Sequence, residues 1–90
     1  MTIFSDAADE AEALAKQCYP IFAGHDKMVQ GAALVELVAM HLAGHVILGD
    51  AEKTKQLRVG IFEEFMKAVA GLVPVLDEGV IQPEIARRAQ

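Results

Sequence analysis

The chain has no tryptophan, one cysteine, three prolines and only eight lysines and arginines. A lone Cys18 forms no internal disulfide, and without a disulfide framework the reducing cytoplasm is the expected location. Thirteen aspartates and glutamates outweigh the bases and leave a formal net charge of −5. Nucleic-acid binding needs clustered Lys and Arg against phosphate. Here the bases are scattered, apart from Arg87 and Arg88 near the C-terminus. Nucleic acid and anionic membrane surfaces are therefore not expected partners. The aromatic-interleaved basic pattern of a single-strand binder is also missing. The seven glycines are dispersed and form no phosphate-cradling loop. Residues 1–6 carry no basic segment and turn acidic at Asp6, which is unlike a secretory signal. No alternating β-branched pattern, hairpin turn signal or internal repeat occurs.

Apolar side chains are plentiful. They make up 53% of the residues, against a typical ~45–50% that also counts glycine, and the mean hydropathy is +0.30. Ninety residues suggest one domain. A chain of this size buries only about 60–65% of its unfolded surface, which leaves little core for an enclosed active site. A non-enzymatic protein without a cofactor is expected.

The pattern predicts an all-α fold, a three-helix bundle with a short C-terminal helical tail. Helix one is expected over about 6–18, with Ser5 as N-cap, acidic residues in its first turn, and Pro20 as its stop. Ala7, Ala11, Leu14, Ala15 and Cys18 share its inner face. Helix two is expected over about 27–47, capped by Asp26 and ended by Gly49. Helix three is expected over about 51–73, capped by Asp50 and broken by Pro74. Leu57, Ile61, Phe65, Ala68 and Leu72 form its stripe, widened by Phe62, Met66, Val69 and Val73. Pro83 opens a final short helix over about 83–89, with Arg87 and Arg88 at its C-terminal end.

Helix two is apolar around most of its circumference. Residues 28–48 have the length of a membrane span, but Gln30, Glu36, His41 and His45 interrupt them, and a central Glu is costly in lipid. The segment reads as a buried helix of a water-borne protein, with a membrane span as the lesser alternative. Two other helices of so short a chain cannot cover it on every side, so a homodimer seamed along the central helix is expected. Another protein is the alternative occupant. Ala32, Ala39 and Ala43 form a small strip suited to close approach by Ala7, Ala11 and Ala15.

Three features invite a chemical reading. His41 and His45 sit four apart on helix two, with Cβ atoms about 5–6 Å apart, a spacing that can chelate a divalent metal. A structural zinc site has four protein ligands and a catalytic one three. The rest would have to come from His25, Asp50, Glu64 or Cys18. The plain alternative is a partly exposed edge or a dimer seam, which would loosen if its histidines became charged. Arg58 lies inside the apolar arc of helix three and needs an acceptor, for which Glu36 is the natural candidate. Together they would form a ligand-binding pair, or merely a buried ion pair or snorkelling side chain. Cys18 reads as a small buried hydrophobe, because no nucleophile signature surrounds it. The expected function is thus a homodimeric interaction or regulatory module, with a metal- or small-ligand-binding bundle as the alternative.

Overall fold

The computed structural model describes residues 7–90, which leaves Ser5 and Asp6 outside the described residues. The protein is all-helical, with no strand among the described residues. Helix α1 spans Ala8–Ala23, α2 spans Lys27–Ala43, and α3 spans Ala51–Leu76. A π-turn over Asp77–Ile81 leads directly into α4, Gln82–Arg88. From Ala51 to Arg88 the chain is one continuous helical rod. At 1.5 Å per residue such a rod measures about 57 Å, close to the 59 Å long axis of the molecule.

Two N-caps form as the sequence predicts. Asp26 Oδ1 accepts from the Met28 N–H at 2.8 Å, and Asp50 Oδ1 from the Lys53 N–H at 2.9 Å. Each satisfies a backbone donor that has no intrahelical partner.

Three boundaries differ from the expectation. Pro20 does not stop α1, nor Pro74 α3; both lie inside their helices. A proline's own φ near −65° is helical, and its cost is one missing donor and crowding of the preceding turn. The carbonyls freed where α1 ends gain a partner, because Gln30 Nε2 of α2 donates to those of Phe22 and His25 at 2.9 and 2.8 Å. The third difference is that α2 ends at Ala43, not Ile47, with Gly44 as its C-cap. Val46 and Ile47 leave the helix because Thr54 and Arg58 of α3 claim the backbone of this segment. Gly49 is not the α2 terminator; it sits in the turn before α3 at φ +80°, a left-handed conformation that favours glycine.

The single chain is open. Among the described residues no apolar side chain is buried, and Thr54 is the only buried residue of any kind. The Cα radius of gyration is 16.2 Å, against about 12 Å for a compact chain of this length. The two alanine strips do not meet: Ala7, Ala11, Ala15, Ala32, Ala39 and Ala43 are all exposed. What holds the chain's shape is its corners.

Candidate functional site

The most densely bonded region is the corner where α2 turns into α3. A helix ends with four backbone carbonyls that lack partners, and at α2 the next helix supplies donors. Arg58 Nε donates to the His45 carbonyl at 3.1 Å, and its Nη2 to the Ala43 carbonyl at 2.8 Å. The Thr54 hydroxyl lies one turn earlier on α3. Its Oγ1 accepts from the Ile47 N–H at 2.9 Å and lies 2.9 Å from the Asp50 carbonyl and 3.1 Å from that of Ile47. One hydroxyl therefore closes the loop at both ends, and at 8% relative exposure it does so away from water. A charged donor at the C-terminal end of a helix is also favoured by the macrodipole.

Arg58 needs acceptors, as its place in the apolar arc implies. The acceptors are backbone carbonyls and not Glu36. The expected pair does not form, because Glu36 stands exposed on α2 while the guanidinium is committed to the end of that helix. An exposed carboxylate needs no buried counterion, and the Arg58 charge is already hydrogen-bonded.

His41 and His45 do come together. Their ring centroids are 4.9 Å apart at an interplanar angle of 76°. His45 Nδ1 lies 2.8 Å from the His41 carbonyl oxygen, so Nδ1 carries a proton there, and in the neutral ring Nε2 then holds the lone pair. The other suggested ligands do not join them. Among the described residues no group of three or more His, Cys, Asp or Glu is placed to hold a metal ion. Glu64 instead pairs with Lys67 at 3.5 Å, and Cys18 is half-buried on α1.

At the far end of the rod, Glu84 bonds Arg87 and Arg88. The hydrogen bonds from Arg87 and then Arg88 hold its carboxyl below the usual Glu value. The local stabilisation of α4 is therefore present above the ordinary Glu range and disappears as the pH falls through the lowered value.

Two of these corner residues, Thr54 and Gln30, are not singled out by the sequence. The only signal for Thr54 is its position one turn after the N-cap Asp50. Gln30 shows itself solely as a polar residue on an otherwise apolar helix. No helix among the described residues is long and apolar enough to cross a membrane. No protein-family model, curated protein or solved structure matches the chain.

Proposed function

We propose that the chain is a non-enzymatic interaction module that completes its hydrophobic core by pairing with a second copy. One observation carries the reading: the apolar surface has no cover among the described residues. Met28, Val29, Leu34, Val35, Leu37 and Met40 of α2 are each more than half exposed. The accessible surface is 7640 Å², whereas a compact monomer of this mass exposes about 5,100 Å². The excess of about 2,500 Å² is several times the ~800 Å² that each partner contributes to an ordinary interface. An excess on this scale, carrying so many exposed apolar side chains, marks an association surface. The seam includes α2, and the hydrogen-bonded α2–α3 corner sets the angle at which the apolar faces are offered. Light scattering across a size-exclusion peak tests the reading. A mass of about twice 9.7 kDa supports it, and a folded species at 9.7 kDa at micromolar concentration rejects it.

A second reading, divalent metal binding through His41 and His45, draws on the paired rings and the free Nε2 of His45. Two imidazoles fall short of a zinc ligand set, so a second copy would have to supply the remainder. Calorimetric titration with Zn²⁺ decides it. Saturable heat that disappears in a His41→Ala, His45→Ala variant supports the reading, and equal heat in the two proteins removes it.

A further inference from the structure

The rod carries two apolar faces. Thr54 is buried and Arg58, Ile61, Phe65 and Ala68 are half-buried; this is the side on which Thr54 and Arg58 reach the end of α2. Val59, Phe62, Met66, Val69 and Val73 form the other face, and all are exposed. At about 100° per residue the two faces lie about 100° apart. A helix in a square four-helix arrangement touches two neighbours roughly a quarter turn apart, and α2 supplies only one of them.

The π-turn extends the free face. In an uninterrupted α-helix Ile81 and Ile85 would sit about 100° away from it. A π-turn closes i to i+5 in place of i to i+4 and so takes up one extra residue. Its bond is present, from the Gln82 N–H to the Asp77 carbonyl. The extra residue sets the following chain back by about 100°, which returns Ile81 and Ile85 to the side of Phe62, Met66 and Val73.

The charges on this face name the occupant. Lys55 lies on the face at the start of the rod and Asp77 flanks it at the far end. Asp77 Oδ1 accepts from Gln82 Nε2 at 3.2 Å, which leaves its second oxygen to another donor. Lys55 and Asp77 are equally far from Met66 along the chain, and so are Val59 and Val73. A second rod laid antiparallel with Met66 on the twofold axis would set Lys55 against Asp77 and Val59 against Val73, with the helix dipoles opposed. A parallel copy would set Lys55 against Lys55.

We infer that the Lys55–Asp77 stretch of the rod's exposed face is the docking surface for the same stretch of a second copy, antiparallel and in register about Met66, with Ile81 opposite Ala51 at each end. This rests on the homodimer reading and adds its geometry. In the pair, the two α2–α3 corners would close into a four-helix core, with α2 against α2 and rod against rod. In such a dimer Val59 lies about 21 Å from its own copy, whereas Met66 faces itself.

The test uses the full chain in a Cys18→Ser background, with Met66→Cys, Val59→Cys and Val73→Cys made separately and treated with a short thiol cross-linker. Met66→Cys is expected to cross-link alone. Val59→Cys and Val73→Cys are expected to cross-link only when the two proteins are mixed. Cross-linking of all three alone overturns the antiparallel register. A dimer by light scattering that cross-links at none of them overturns this face and leaves the homodimer reading standing; a monomer overturns both. A charge swap gives a second measurement that does not depend on cysteine. Lys55→Glu should weaken dimerisation by about threefold to tenfold, and adding Asp77→Lys to the same chain should restore it. Failure of restoration in a folded dimer overturns the register.

Discussion

Thr54 shows how much of this architecture one side chain can carry. Its hydroxyl lies within hydrogen-bonding distance of the Ile47 N–H, the Ile47 carbonyl and the Asp50 carbonyl. Removing one partner from a buried polar set leaves the others unsatisfied, at about 1–3 kcal/mol. Thr54→Val keeps the shape and removes the hydroxyl, so it should destabilise the protein by that amount in urea unfolding. An unchanged midpoint would show that the corner does not depend on Thr54. The sequence marks Arg58 as a residue in need of acceptors but does not identify them. Carbonyls become available only where a helix ends, and the end of α2 is itself determined by Arg58 and Thr54. Residue choice and helix boundary settle together, which is why the boundary is displaced from Ile47 to Ala43.

Among the elements, the rod is the most informative. Its core stripe is legible in sequence as far as Leu72, because apolar residues recur at helical spacing. The continuation is not, because Pro74 and Gly79 are ordinarily stop signals and Ile81 and Ile85 fall out of phase. The π-turn resolves the mismatch by absorbing one residue. Deleting Gly79 should therefore convert the turn to regular α-helix and leave Ile81 and Ile85 in phase. The expected result is a dimer affinity within about threefold of the parent, or about 0.7 kcal/mol, in sedimentation equilibrium. Inserting an alanine after Gly79 should instead rotate both isoleucines off the face and weaken the dimer. Equal weakening by deletion and insertion would show that the turn does not serve phase.

For the whole molecule, a chain whose described residues bury no apolar side chain has little to stabilise it alone. Conformational entropy opposes folding by roughly 1–2 kcal/mol per residue, and hydrogen-bonded corners do not offset that without hydrophobic burial. Folding and pairing should then be one transition. The midpoint of thermal unfolding, followed by circular dichroism, is expected to rise with protein concentration, as mass action requires when only the associated state is folded. A cooperative midpoint independent of concentration over a hundredfold range would mean that a single chain closes its own core.

Sequence alone determined the helical character of this protein, the caps at Asp26 and Asp50, and the surplus of apolar surface. Each of these is local, arising from propensity, capping chemistry and composition. The tertiary structure decided where α2 ends, that α1 and α3 continue through their prolines, that Glu36 and Arg58 stay apart, and which side of the rod meets the end of α2. Those outcomes depend on which carbonyl or side chain meets which across a corner, and such meetings between distant residues leave no periodic trace in the order of the amino acids.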